Sequence, residues 1–320
     1  FFFMEKPRPV QEIMDLISNR YVDDVKINDL ADTAIQAMLS KLDPHSVYIP
    51  ASKLQQVNEE LAGKFFGIGI EFNIFEDTLN VINVLKDGPG FKAGLLTGDK
   101  FIKVDDSIVA GNKTKVDTYR NLLRGDRGAK VTITYLRNNN IKKAVLTRDA
   151  IPLSSVDASY MIDSVTGFIK LNKFTTETYR EFMLSLEALN KAGMKNLVLD
   201  LRDNGGGILE EAIEIADEFL DGDKLITYTE GKHVTKKEYR CRRVGQFEKG
   251  PLIILADEGT ASASEVLIGA LQDWDRATII GRRTFGKGLV QEQFELSDHS
   301  ALRLTIARYF TPVGRSIQRP

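Results

Sequence analysis

The sequence predicts an α/β multidomain protein with an N-terminal helical arm, a β-rich middle and an α/β core. Three observations predict it. Apolar residues recur at helical spacing near the N-terminus. Short alternating strands with glycine turns fill the middle. Strand-like apolar runs then alternate with helical stripes through the C-terminal half. The expected domains are residues 1–62, 63–148 and 149–320.

The arm shows two stripes. Val10, Ile13, Met14, Ile17 and Tyr21 form one, and Ala31, Ala34, Ile35, Met38 and Leu42 the other, stopped by Asp43-Pro44. Stripe width does not separate packing on its own domain from a dimer interface. In the middle, strands are expected at Phe66–Ile74, Thr78–Leu85, Lys100–Val104, Lys130–Arg137 and Ile141–Thr147. Short helices are expected near Phe91–Leu95 and Val116–Arg124. In the core, a strand at Gly167–Phe174 precedes a helix over Thr175–Ala192 with Tyr179, Phe182, Met183, Leu186 and Leu189 inward. A buried-strand run at Asn196–Leu201 leads to a glycine turn and a helix carrying Ile208, Leu209, Ala212, Ile213, Ala216 and Phe219. Pro251–Ala256 is a second such run, and Lys224–Arg242 reads as a polar, strand-rich excursion.

The 320 residues suffice for two or three cores. A net charge of −2, with both signs well mixed, argues against a nucleic-acid face. The single cysteine, Cys241, excludes an internal disulfide. No metal-ligand spacing appears, no cofactor motif is intact, and no apolar run reaches the ~18 residues of a membrane span. Phe1-Phe2-Phe3-Met4 is too short for a signal peptide and reads as a chain end or the remnant of a removed targeting segment. His45, His233 and His299 read as turn or surface residues, since none lies in a Ser-His-Asp order and G-x-S-x-G is absent.

The chemistry concentrates between Asp257 and Gln291. Ser262 opens a helix whose apolar face is Ala263, Val266, Leu267, Ala270, Leu271 and Trp274. Ser262 with Glu265 also fits the S-x-x-E capping box, so the serine has a purely structural reading too. Ser264 is a second candidate nucleophile, placed inside the first turn. Lys287 lies between Gly286 and Gly288, and Gln291 follows. A serine needs a base, and a lysine serves only when neutral. At its ordinary pKa roughly one lysine in 2,500 is neutral at pH 7; lowering the pKa by about 3 units makes half neutral, at a cost of about 4 kcal/mol. Flanking glycines let backbone pack around the lysine, and glutamine can hold the amine without adding a charge that would raise its pKa. Gly281–Lys287 also matches the first seven positions of a P-loop, but Gly288 replaces the Mg²⁺-binding Ser/Thr and a strand replaces the helix.

Gly205-Gly206-Gly207, between a strand and a helix, can present backbone N–H groups to developing negative charge; a structural turn is the alternative.

These segments together resemble the carboxy-terminal processing proteases, the tail-specific serine proteases. The resemblance rests on Asp200–Gly207, Glu258–Glu265, Thr284–Gln291 and Leu304–Gln318, in the family's order, and covers essentially the whole chain. Thr260 stands where many relatives carry Ser. The resemblance implies a crotonase-like protease core with Ser262 as nucleophile, Lys287 as general base and Gln291 orienting the lysine. It implies an oxyanion hole from backbone N–H groups of Gly205, Gly206 and Ala263. It implies no cofactor, an extracytoplasmic location (periplasm or cell envelope) and, in some members, a homodimer through the N-terminal helices. Gly88–Leu95 with Gly98-Asp99 resembles a PDZ domain, and Gly67-Ile68-Gly69-Ile70 its carboxylate-binding loop, which would capture protein C-termini by β-augmentation. A plain structural barrel is the rival reading of that segment. The rival functions are a non-catalytic PDZ/crotonase-like binding scaffold and a crotonase-type acyl-CoA enzyme. The intact Ser/Lys/Gln set opposes the first, and the PDZ segment opposes the second.

Overall fold

A computed structural model of the chain describes residues 9–319, so the Phe1-to-Met4 stretch lies outside the described residues. The N-terminal arm contains α1 (Pro9–Arg20), α2 (Ile27–Leu39), β1 (Val47–Ile49) and α3 (Ala51–Leu61). α1 buries no side chain, and α2 buries only Leu39. Val10, Ile13, Leu16 and Tyr21 stay exposed. The arm is not all helical as expected: Val47-Tyr48-Ile49 pairs antiparallel with Arg303-Leu302-Ala301 of a distant strand. Three β-branched or aromatic residues after the Asp43-Pro44 stop suit an edge position in that sheet.

The middle begins with β2 (Lys64–Gly67), β3 (Ile70–Phe75), β4 (Thr78–Val84), α4 (Pro89–Lys92), β5 (Lys100–Val104) and β6 (Ser107–Ile108). It continues with α5 (Val116–Leu123), β7 (Lys130–Arg137), β8 (Asn140–Thr147) and β9 (Asp149–Pro152). The sheet runs β3-β4-β5-β7-β8, with β6 on β5, around Leu79, Phe101, Tyr119 and Ile133. The single strand expected over Phe66–Ile74 is two strands of different sheets. β2 pairs with β9, which returns the chain to the core, whereas β3 pairs with β4. The break falls at Gly69, whose φ of +69° is left-handed and costs glycine little.

The core holds β10 (Val156–Met161), β11 (Thr166–Leu171), α6 (Thr178–Lys191), β12 (Asn196–Asp200), α7 (Leu209–Asp217), β13 (Leu225–Gly231) and β14 (Val234–Arg240). β15 (Leu252–Ala256), α8 (Ala263–Asp273), β16 (Thr278–Gly281), β17 (Leu289–Glu295) and β18 (Ala301–Phe310) complete it. One sheet runs β10-β11-β12-β15-β16, parallel except for β10. Its alternate residues, Leu197, Leu199, Leu252 and Ile254, are buried with Phe182 and Leu186 of α6 and Leu267 and Leu271 of α8. The second sheet runs β1-β18-β13-β14 with β17 on β18, so the polar excursion is the β13–β14 hairpin. Because β12 and β15 are parallel neighbours, their carboxyl ends deliver two loops to one place.

Candidate active site

β15 ends at buried Ala256, and the chain turns through Asp257–Ala261 into α8. Ser262 sits at that turn with φ 57° and ψ −117°. A non-glycine residue there stores on the order of 1–3 kcal/mol of strain. The Ser262–Glu265 capping box forms, and Glu265 Oε2 accepts the Ser262 N–H at 2.8 Å. Glu265 does more than the motif suggested. Its Oε1 accepts the Gly286 N–H at 2.7 Å and its Oε2 the Lys287 N–H at 2.8 Å. This buried carboxylate joins the serine turn to the lysine segment. Ser264 is fully buried and its hydroxyl donates to the Asn204 carbonyl at 3.0 Å, so it packs and does not face the cleft.

Lys287 lies just before β17. Gly286 has φ +88° and lies against Arg319, where a Cβ would come within 2.7 Å of the Arg319 Cβ. Lys287 Nζ donates to Gln291 Oε1 at 2.9 Å, and Gln291 Nε2 donates to the His45 carbonyl. Burial, reinforced by the Arg303 charge, holds the lysine below its ordinary pKa; Asp43 pulls the other way. The neutral amide of Gln291 holds the amine without opposing that shift. Opposite Val290 and Gln291 the register shifts by one residue, because β18 carries the extra Ile306 between Ala307 and Thr305.

The glycine turn comes up against the serine turn. A Cβ on Gly206 would lie 2.6 Å from the Ala261 oxygen, 2.8 Å from the Ala263 nitrogen and 2.9 Å from the Ser262 Cβ, so only glycine permits this approach. The Gly206 N–H donates to Asn204 Oδ1 at 2.9 Å. Among the described residues, the Gly205 and Ala263 N–H groups meet no protein acceptor. Asn204, which sequence reasoning passed over, is fully buried and ties the two turns together. Its Nδ2 donates to the Leu171 carbonyl at 3.0 Å, and its carbonyl accepts the Ala261 N–H at 3.0 Å. The signal available was an Asn directly before the glycines, a residue type suited to bonding nearby backbone.

Ser262, Lys287, Gln291, Gly205, Gly206 and Arg303 line one cleft of about 670 Å³, which α3 closes with Val57, Glu60 and Leu61. No hydrogen bond joins Ser262 Oγ to Lys287 in this state. A serine held in strain beside a half-buried lysine and free N–H groups can do acyl transfer. Among the described residues, no cluster of His, Cys, Asp and Glu could hold a metal ion. A separate groove of about 140 Å³ in the middle domain is lined by Gly67, Ile68, Gly69, Ile70, Phe72 and Leu123. The N–H groups of Ile68 and Gly69 find no acceptor among the described residues.

The model for peptidase family S41 matches residues 165–320, that for the PDZ domain residues 67–147, and that for the activating protease CtpB N-terminal domain residues 4–52. The chain is 34% identical over 314 residues to the carboxy-terminal-processing protease of Bartonella bacilliformis, covering 96% of this chain and 71% of that protein. It is 33% identical over 312 residues to the "Probable CtpA-like serine protease" of Staphylococcus epidermidis, covering 97% of this chain and 63% of that one. Among solved structures, it resembles a photosystem II D1 C-terminal processing protease at a TM-score of 0.55 and 28% identity, over 97% of this chain and 84% of that one.

Proposed function

The chain belongs to peptidase family S41, a family of carboxy-terminal-processing serine proteases, and from that premise we propose that it is an endopeptidase working through a Ser262–Lys287 dyad supported by Gln291. Ser262 Oγ attacks the scissile carbonyl while Lys287 takes its proton. The C–N bond then breaks, the lysine returns the proton to the leaving amine, and water hydrolyses the acyl-enzyme. The N–H groups of Gly205 and Ala263 receive the oxyanion, with Gly206 joining once it releases Asn204. The observation that carries the reading is the 2.9 Å bond from Lys287 Nζ to Gln291 Oε1, in the cleft that holds Ser262. Closure of the Ser262–Lys287 distance then belongs to the substrate-bound state.

The PDZ domain binds the substrate's C-terminus: the free N–H groups of Ile68 and Gly69 take the carboxylate, and β3 accepts the peptide as a strand. The apolar face of α1 suits a second copy of the chain. No helix among the described residues is long and apolar enough to cross a membrane. Placement outside the cytoplasm follows the resembled family and is checked by cell fractionation.

The test incubates the protein and its Ser262→Ala and Lys287→Ala forms with unfolded substrates ending in a free carboxylate or an amide. Cleavage is expected from the parent only, with the amide bound at least about 10-fold more weakly. Cleavage by Ser262→Ala would remove the nucleophile, and equal binding of both ends would remove the capture loop. Light scattering of an Ile13→Glu form checks the dimer, which should dissociate.

A further inference from the structure

We infer that Asp43 is a positioning residue for catalysis: it shapes the turn that presents the His45 carbonyl to Gln291 and so sets which end of the Gln291 amide faces Lys287. The inference rests on the dyad reading above. It concerns a segment outside the matched peptidase region, since Asp43 lies on the N-terminal arm.

Asp43 Oδ1 accepts the N–H groups of His45 and Ser46, both at 2.8 Å, and Oδ2 accepts the Ser46 hydroxyl at 2.7 Å. This is the Asx-type turn an Asp before a Pro readily makes. Ser46 Oγ in turn accepts the Thr305 N–H at 3.1 Å. Thr305 is the β18 partner of Gln291, next to the bulged Ile306 of β18. Immediately after the turn, Val47 pairs with Arg303. The turn is therefore pinned to β18 at two points and cannot drift relative to Gln291. The Ser46 and His45 bonds outweigh burial and keep Asp43 below the usual carboxylate range, so the acceptor is charged at neutral pH.

The consequence is directional. Gln291 has one acceptor end and one donor end. The His45 carbonyl can only accept, so it claims Nε2, and Oε1 is left for Lys287. Without that carbonyl the amide could turn over and put two donors against a protonated amine. Burial first, and the Lys287 charge second, hold the His45 imidazole below its ordinary pKa, against the pull of Asp43.

The test is a double-mutant cycle on the full chain, comparing the parent, Asp43→Ala, Gln291→Ala and the double variant, with Asp43→Asn and Lys287→Ala alongside. Asp43→Ala should lower kcat on the order of 10- to 100-fold with KM within about twofold, the mark of a misplaced catalytic group. Added to Gln291→Ala, it should cost nothing further. Asp43→Asn keeps an oxygen for the two N–H groups and should recover most of kcat. Additive losses in the double variant, or parental kcat in folded Asp43→Ala, would overturn the inference while leaving the dyad intact. Parental turnover by Lys287→Ala would overturn the dyad, and the inference with it. If Asp43→Ala does not fold, Asp43→Asn carries the cycle, with a smaller loss that must still vanish in the Gln291→Ala background.

Discussion

Glu265 and Lys287 are joined through the lysine's own backbone: Glu265 Oε2 accepts the Lys287 N–H at 2.8 Å, and the same oxygen accepts the Ser262 N–H at 2.8 Å. The spacing between the Ser262 and Lys287 backbones is thus set partly by one shared carboxylate.

Glu265→Gln should therefore damage both stability and rate. Three N–H groups converge on the carboxylate, and an amide must turn its own donor toward at least one of them. Leaving a buried donor unpaired costs about 1–3 kcal/mol. The expected result is a destabilisation of about that size by chemical denaturation and a fall in kcat on the order of tenfold or more. Parental kcat would show that the bridge does not hold the dyad.

Lys287 must be neutral to accept a proton, so kcat/KM should rise with pH through the folded-state pKa of the lysine. Burial first, and the Arg303 charge second, place that value below 10.5. Arg303→Met removes a positive charge that disfavours the ammonium, so the acid limb should move to higher pH, in the direction in which Asp43 already pulls. An acid limb unmoved by this change would mean that another group sets it.

Ser262→Gly should separate strain from chemistry. At φ 57° and ψ −117° glycine is far better tolerated than a residue with a Cβ. The glycine form should be inactive yet more stable than Ser262→Ala by about 1 kcal/mol, after the greater unfolded-state freedom of glycine is offset. Paired thermal melts decide it, and a glycine form less stable than the alanine form would deny the strain.

Gly206→Ala should fail in both respects. Its φ of +87° is left-handed, and its new Cβ would meet the Ala261 oxygen and the Ala263 nitrogen. The turn must withdraw from Ser262, with kcat down on the order of 100-fold and stability down by about 1–3 kcal/mol. Activity within twofold of the parent would show that the turn is not part of the reacting site.

Much of this molecule was legible in its sequence because local rules carried it. Period-2 and period-3.6 patterns located β12, β15 and the faces of α6 and α8. The S-x-x-E motif located the start of α8, and three glycines located a turn whose Gly206 lies too close to Ala261 and Ala263 to carry a Cβ. Elements that depend on a distant partner read poorly. β2 looked continuous with β3, yet its hydrogen bonds go to β9, about 85 residues further on, and no local pattern reports which sheet a strand joins.

The sequence by itself determined the family to which the chain belongs, and its motifs pointed to Ser262, Lys287 and Gln291 as the candidate residues. The tertiary structure alone decided how Ser262, Lys287 and Gln291 are held. Glu265 bridges two of them by backbone bonds, and the His45 carbonyl orients the third from the N-terminal arm. Both contacts engage backbone atoms, which carry no residue identity. A motif records side chains, and these bonds come from where the chain happens to pass.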